Sequence, residues 1–332
     1  MRIPSARFLL FGSWVLVAFA FALAPLVLGK YAQYLISMWL IFAIAAIGLN
    51  IPIGLANIYS FGHGAFMLVG AYVVAITMTH WSWSAFPAVM ISLVVAAVAG
   101  GVVGLPSLRL TGFALAIVTF AFGHTLFHLV KAFEYTGGPQ GMFMPTLDSS
   151  KWLGGTYYYY IVLVIFILAF LAAYSVSSSK TGRAMRTLGA SEVVAQSLGI
   201  HLLRYKIIAF VLSAVYGAIS GGLLALVTGY VAPDTFSSEL SISVFAAVMI
   251  GGMGTIVGPV LGSFFVVLIP ELTQSVRGLS LIIYGVLFTL VSTLYPTGIV
   301  GAFHALNEYL TKARRNKGFS LSEKDDSSKA KI

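Results

Sequence analysis

The chain has 332 residues, of which 59% are hydrophobic and 9% are charged, and it contains no cysteine. A soluble domain carries about 25% charged residues, so this composition excludes an ordinary soluble fold, and the lack of cysteine excludes disulfides, thiolate catalysis and cysteine metal sites. The net charge of +9 comes from basic residues between apolar runs, which indicates contact with lipid headgroups and no nucleic-acid partner.

The long apolar runs predict transmembrane helices. Inside lipid every backbone N–H and C=O must be paired within the protein, and the runs lack the two-residue alternation of β-barrel strands. The sequence therefore predicts an all-α fold, a polytopic integral membrane helical bundle of about ten transmembrane helices. The expected spans are 8–28, 33–53, 60–80, 85–105, 112–131, 157–176, 207–229, 241–256, 258–275 and 279–297.

The two ends of this predicted bundle are less regular than its middle. The uncharged stretch from Phe8 to Gly29 is longer than a signal-peptide core of about 7–15 residues, so we expect a retained first helix. Near the other end, six Gly or Pro residues fall within 251–262. They exceed what close packing needs, and they suggest a broken or re-entrant helix, or unwound backbone lining a cavity.

The basic residues predict the orientation of the bundle. Fifteen of the 19 Lys and Arg residues lie on one side of the ten expected spans, and the positive-inside bias makes that side cytoplasmic. We therefore expect a multi-pass protein of the cytoplasmic (inner) membrane with both termini in the cytoplasm. Residues 1–317 would form the membrane domain, with an outer loop at 132–156 and an inner loop at 177–206, and 318–332 would be a disordered cytoplasmic tail.

The inner loop contains the signals of a short helix. Ser191 is a good N-cap, Glu192 places an acid in the first turn, and Gly199 can end the helix. A short helix between two spans, flanked by basic residues, would fit a groove of a cytoplasmic partner. A solvated basic loop explains the same composition, so both interpretations stay open.

Several polar residues inside the expected spans are candidates for function. Asn50 would face a solute path or bond a neighbouring helix, and His63 would be either a buried structural residue or part of a gate. His124 and His128 have the i, i+4 spacing of metal ligands, but no convincing third ligand accompanies them, so a polar contact between helices is favoured. Glu271 would be either a functional acid inside the membrane or the partner of Arg277 in an ion pair at the interface.

Four groups of residues occur in one order along the chain. They are Gly48-Leu49-Asn50 with Ser60-Phe61-Gly62-His63-Gly64; Thr136-Gly137-Gly138-Pro139 with Gly141; Gly182-Arg183-Ala184 with Glu192, Ala195 and Leu198-Gly199-Ile200; and Gly251-Gly252-Met253-Gly254 with Gly258-Pro259. Together they resemble the branched-chain amino acid ABC transporter permeases, M-type subunit, over roughly residues 40–300. The related urea and short-amide ABC permeases share these motifs.

The resemblance implies an ABC importer permease fold and a set of partners. Such a subunit works with a second permease subunit, as a heterodimer, with two cytoplasmic ABC ATPases and with an extracytoplasmic solute-binding protein. It moves an amino-acid substrate by alternating access. The chain has no Gly-x-x-x-x-Gly-Lys-Ser/Thr phosphate loop, which fits ATP hydrolysis by a separate subunit, so we expect no catalytic residue, cofactor or metal here.

The resemblance also assigns candidate site residues in two sets. Those expected to couple the chain to the ATPase are Gly182, Arg183, Arg186, Glu192, Ala195 and Gly199. Those expected in the translocation path or its gate are Asn50, Ser60, Gly62, His63, Gly251, Gly252, Gly254 and Gly258.

Other functions can be weighed against this one. In a urea or short-amide permease the class would hold and only the substrate would differ, and His124 stands where many family members carry an acid. An ion-coupled secondary transporter would need intramembrane carboxylates, and the expected spans are nearly free of them. A membrane enzyme would need clustered acids, a His–acid pair or a metal set near one interface, and the sequence shows none.

Overall fold

The fold is all-α, as the sequence predicts. The computed structural model describes residues 21, 23–25, 27–108, 110, 112–145, 156–273, 279–294 and 298–301. The α-helices in these residues are α1 (Lys30–Asn50), α2 (His63–His80), α3 (Ala85–Gly104), α4 (Phe113–Ala132), α5 (Thr156–Ser178), α6 (Lys180–Ala190), α7 (Glu192–Ser197), α8 (Leu202–Thr228), α9 (Ser238–Gly251), α10 (Val257–Leu272) and α11 (Leu279–Leu294). A π-helix (Ile51–Leu55) extends α1, and the two short strands are β1 (Met142–Phe143) and β2 (Tyr230–Val231).

Six of the described helices are long and apolar enough to cross a membrane: α1 with its π-helical extension, α2, α3, α4, α5 and α8. They correspond to the second to seventh expected spans. The glycine-interrupted region forms two shorter helices, α9 with 14 residues and α10 with 16, joined by a turn at 252–256. Helix α11 falls within the last expected span, whereas the expected first span, 8–28, lies mostly outside the described residues.

Helix α8 lies at the centre of the bundle, where α1, α2 and α3 all pack against it. Small residues allow this close approach. An added Cβ at Gly221 would lie 1.9 Å from the carbonyl oxygen of Met67, and one at Gly70 would lie 2.4 Å from the Cα of Ala218. Because the hydrophobic effect does not drive association between helices in lipid, such backbone proximity is what holds them together.

Helices α3, α4 and α5 instead present wide apolar faces to the outside. About a quarter of the most apolar stretch of each is buried, against about two thirds or more in α1, α2 and α8. Val94, Val98 and Leu168 are among the exposed side chains. Lipid tails solvate such side chains, so these faces fit contact with a bilayer.

The expected outer loop is tied to the segment that follows α8. Met142 of β1 pairs with Val231 of β2. Gly141 has a φ of +74°, and an added Cβ there would lie 2.2 Å from the carbonyl oxygen of Val231, so both the backbone conformation and the space favour glycine. Next to this pair, the Nζ of Lys131 lies 2.6 Å from Asp234 Oδ1. The end of α4 and the segment after α8 are therefore joined by backbone and side-chain contacts.

The expected inner loop is largely helical. The predicted short helix is confirmed as α7, where the Ser191 hydroxyl accepts a hydrogen bond from the backbone N–H of Val194 at 3.4 Å. The preceding helix, α6, was not predicted, because its basic residues were interpreted as loop. It is amphipathic, and it buries Ala184, Met185 and Leu188 on one face.

Candidate coupling surface and glycine crossing

Two arginines of α6 close the end of α5. Arg183 Nη1 donates to the carbonyl of Ser178 at 3.0 Å, and Arg186 Nη2 donates to the carbonyl of Ser177 and, at 2.7 Å, to its hydroxyl. The last carbonyls of a helix have no intrahelical donor, and a cation there also suits the helix dipole. Both arginines, expected to couple to an ATPase, thus bind the chain's own backbone.

Two glycines let α6 lie against its neighbours. An added Cβ at Gly182 would lie 2.4 Å from the carbonyl oxygen of Val176, and one at Gly189 would lie 2.9 Å from that of Leu55. The side-chain amide of Asn57 also donates to the carbonyl of Gly189 at 3.4 Å. Helix α6 therefore connects the end of α5 to the π-helix that extends α1.

Helix α7 is fixed through its inward face and at both ends. Ala195 is fully buried, and Glu192 Oε1 lies 2.7 Å from the Nζ of Lys206 in α8. At the other end Gly199 has a φ of +74°, a left-handed conformation that ends helices and favours glycine. The N–H of Ile200 then donates to the carbonyl of Ala195 at 2.9 Å.

Large apolar side chains are exposed on α7 and on the residue that follows it. Val193 is 76% exposed, Val194 is 50% exposed and Leu198 is 67% exposed; we call these three residues the α7 apolar face. The sequence analysis did not include these three residues among its coupling candidates. It took its candidates from a family motif, and in this structure Ala195 is buried and Glu192 binds Lys206. The signal that could have identified them is the presence of two large apolar side chains in a short, otherwise polar helix and a third directly after it.

The second candidate region lies where α1 meets the turn between α9 and α10. We call residues 251–258 the glycine crossing. The Asn50 side chain is buried and bonds this turn twice: Nδ2 donates to the carbonyl of Thr255 at 2.7 Å, and Oδ1 accepts from the N–H of Gly254 at 3.0 Å. Gly54 of the π-helix lies against the same turn, since an added Cβ would come within 2.4 Å of the Gly254 nitrogen.

Glycines of the crossing, together with Gly262 of α10, bring the backbones of α9 and α10 into contact. An added Cβ at Gly251 would lie 1.9 Å from the carbonyl oxygen of Gly258, and one at Gly262 would lie 1.8 Å from that of Ala247. Gly252 and Gly254 have φ values of +122° and +76°. The cluster therefore forms a tight turn between two helices, held by Asn50, and the cavity-lining role expected from it stays a prediction.

The remaining path candidates surround the start of α2. His63 is fully buried, and its Nδ1 lies 3.1 Å from the hydroxyl of Ser213 in α8. Ser60 is also buried, and its hydroxyl accepts from the N–H of Gly62 at 3.4 Å. Gly62 itself packs on α4, where an added Cβ would lie 2.7 Å from the Thr119 carbonyl oxygen. His63 thus has the buried, hydrogen-bonded environment of a structural residue, and its gating role is still a prediction.

The candidate residues thus form three groups, and α1 joins two of them. Asn50 holds the glycine crossing, while Gly48, two residues earlier, makes room for Tyr216, whose Cβ would lie 2.2 Å from an added Cβ, and lies next to the His63 ring, whose Cε1 would be 3.4 Å away. The coupling candidates form the third group around α6 and α7. Through Gly189, this third group contacts the π-helix that follows Asn50.

The chain was compared with known proteins. The family model described as "Branched-chain amino acid transport system / permease component" matches residues 31–292. The chain belongs to this family. It is 28% identical over 303 residues to the high-affinity branched-chain amino acid transport system permease protein LivM of Salmonella typhimurium, a match that covers 83% of this chain and 71% of the relative.

Further relatives of this permease include proteins named LivM and proteins named LivH. LivM of Escherichia coli is 29% identical over 303 residues, with coverage of 83% of this chain and 71% of the relative. LivH of Salmonella typhimurium is 26% identical over 283 residues, with coverage of 78% and 91%. The predicted resemblance to the M type is therefore confirmed. No solved structure matches the chain at a significant level.

Two further predictions concern polar residues of this permease outside the three groups. The Nε2 atoms of His124 and His128 lie 3.1 Å apart, so within the part of the chain that the structure describes these histidines contact each other along α4, where a contact between helices was expected. In the described residues no group of three or more His, Cys, Asp or Glu side chains could hold a metal ion. Glu271 accepts a hydrogen bond from the Tyr31 hydroxyl, while its expected partner Arg277 lies outside the described residues.

Proposed function

We propose that this chain is the membrane-spanning subunit of an ATP-driven importer, which moves branched-chain or related hydrophobic amino acids inward by alternating access. Membership of the permease family carries the proposal, since the family model covers residues 31–292. The names of the LivM and LivH relatives both specify branched-chain amino acid transport. These names favour that substrate over urea or short amides.

The proposed subunit acts with partners. A second permease subunit would complete a heterodimer, because the chain resembles both LivM and LivH and relatives of both types transport the same class of solute. Two separate ATPase subunits would bind and hydrolyse ATP. A solute-binding protein would dock at the opposite side, where strands β1 and β2 join the 132–156 loop to the segment after α8.

The α7 apolar face is the proposed contact with an ATPase. Two large apolar side chains exposed on a six-residue helix, with a third on the residue that follows it, are costly in water, and burial in a groove of a partner protein would remove that cost. The orientation proposed from the basic residues places α6 and α7 in the cytoplasm, with both termini. The residues first expected at this contact would then support α7 from behind, since Ala195 is buried and Glu192 binds Lys206.

Within the membrane, the alternating motion would take place in the region around Asn50 and His63. The turn of the glycine crossing is irregular backbone within an apolar segment, and such backbone is tolerated where protein or a cavity covers it. Asn50 is placed to hold this turn in one arrangement, with one donated and one accepted hydrogen bond. A change in that contact would let α9 and α10 move relative to α1.

Reconstitution into vesicles, together with the second permease subunit, the ATPases and the binding protein, tests this function. Uptake of labelled leucine should depend on ATP and on every partner. Competition by unlabelled leucine, valine and isoleucine but not by urea is expected. Competition by urea alone would overturn the proposed substrate and leave the importer class intact. Uptake driven by an ion gradient without ATP would refute the class.

A further inference from the structure

Among the lysines that the structure describes, Lys206 is the buried one, and it lies near the start of the central helix. Lys206 is 3% exposed and belongs to the second turn of α8. An ammonium group removed from water needs an opposite charge or several hydrogen bonds. The carboxylate of Glu192, the first residue of α7, lies 2.7 Å from its Nζ, although the Glu192 side chain is 41% exposed.

This ion pair gives α7 a second attachment to α8. The first attachment is covalent and runs through residues 198–201, where Gly199 adopts a left-handed conformation. A six-residue helix is about 9 Å long, so a covalent link to α8 at one end alone leaves the angle between α7 and α8 less constrained. Glu192 lies at the opposite end of α7 from Gly199, and its bond to Lys206 fixes the angle between the two helices.

Helix α8 in turn is bound to the middle of the membrane part. Ser213, seven residues after Lys206, contacts the His63 ring at 3.1 Å. Farther along, Gly217 and Gly221 lie against the backbone of α2 so closely that no side chain fits between them. A displacement of α7 that is passed to α8 would therefore move α2 and the His63 contact with it.

We propose that Lys206 is the positioning residue through which movement of α7 is transmitted to α8, with Glu192 as its partner. This inference rests on the proposed importer function, because it requires an ATPase that pushes on the α7 apolar face. Lys206 does not touch ATP or solute. It keeps α7 and α8 at a fixed angle, so that closure of the ATPases moves the transmembrane helices instead of merely tilting α7.

The decisive measurement is the number of leucine molecules imported per ATP hydrolysed in the reconstituted complex. Lys206→Met keeps the length and apolar stem of the side chain but removes its charge. We expect this variant to assemble with the ATPases and hydrolyse ATP while the import ratio falls about tenfold or more. Arg204→Met is the matched control, since Arg204 is exposed two residues away on the same helix, and its ratio should be unchanged.

A chemical variant avoids any dependence on folding. The chain contains no cysteine, so Glu192→Cys, assembled with cysteine-free partners, carries a single thiol at a half-exposed position. Labelling with a sulfonatoethyl methanethiosulfonate restores a negative charge beside Lys206, and labelling with its trimethylammonium analogue adds a positive one. We expect the first reagent to raise the import ratio and the second to leave it low.

The outcomes separate the two proposals. Equal import ratios after both reagents, or a normal ratio in Lys206→Met, would overturn the role of Lys206 while leaving the importer function in place. A charge-reversed pair, Glu192→Lys with Lys206→Glu, should recover most of the ratio lost in Lys206→Glu alone. If the unmodified complex shows no ATP-dependent uptake, the importer function itself has failed.

Discussion

The glycine crossing and the α6–α7 region hold their parts together by different means. At the crossing, backbones touch directly, and an added Cβ at Gly251 would lie 1.9 Å from a carbonyl oxygen. Around α6 and α7 the backbone also comes close at Gly182 and Gly189, but long charged side chains add contacts of a kind the crossing does not use, as Arg186 does at the end of α5 and Lys206 with Glu192. Contacts in apolar surroundings depend on shape. Contacts near water can involve charged groups, because water solvates the exposed member of the pair.

We therefore expect glycine and asparagine substitutions at the crossing to affect stability far more than substitutions of the exposed side chains around α6 and α7. The strongest effect is expected for Gly251→Ala. Its new methyl group must displace the backbone of α10, because no flexible side chain is there to give way. We expect little folded protein in the membrane fraction, measured as the monodisperse peak in detergent by size-exclusion chromatography.

Gly285→Ala is the matched control for that variant. Gly285 lies in α11 with nothing within 4 Å of its added Cβ, and alanine is a better helix former than glycine. This variant should elute like the unmodified protein. A normal yield of Gly251→Ala would show that the two helices lie farther apart than the structure indicates.

Asn50→Ala is expected to have the next largest effect. It leaves the Gly254 N–H and the Thr255 carbonyl without the bonds that Asn50 supplies, at a cost of about 2 kcal/mol or more for buried polar groups. The melting temperature in detergent should fall, and Asn50→Asp, which retains only the acceptor, should also lower it. An unchanged melting temperature in Asn50→Ala would contradict the proposed hold on the turn.

Arg186→Met tests the α6–α7 region with a smaller expected effect. The substitution removes the donor to Ser177 at the end of α5, where an exposed cation contributes about 0.3–1 kcal/mol. We expect a small drop in melting temperature, and Arg186→Lys should recover part of it. A loss as large as that of Asn50→Ala would remove the contrast between the two regions.

Val193→Asp should leave stability unchanged, because the side chain is 76% exposed. The same change should weaken binding of the ATPase about tenfold or more, since it places a charge on the α7 apolar face. Titration of the ATPase onto the immobilised membrane complex measures this. Gln196→Asp, on the same helix and also exposed, is the control for a charge outside the apolar face, and equal weakening in both would argue against an apolar groove.

Local signals were sufficient for much of the architecture. Ser191, Glu192 and Gly199 lie within nine residues, and the cap, the first-turn acid and the left-handed terminus act within that distance, so α7 could be predicted. Long apolar runs likewise predicted the six spans that the structure describes. The family motif added the subunit type, which the comparisons confirmed.

Tertiary structure decided which groups the polar side chains bind. Asn50 and Thr255 are separated by 205 positions, and no local pattern shows that a single amide will bond that turn twice. The same holds for Arg183 and Arg186, whose charges predicted a solvated or partner-binding loop but whose guanidinium groups bind the end of α5. Sequence determined which segments enter the membrane, because burial of apolar surface is additive along the chain. Which polar group meets which was decided only by folding, because a hydrogen bond depends on the position of both atoms.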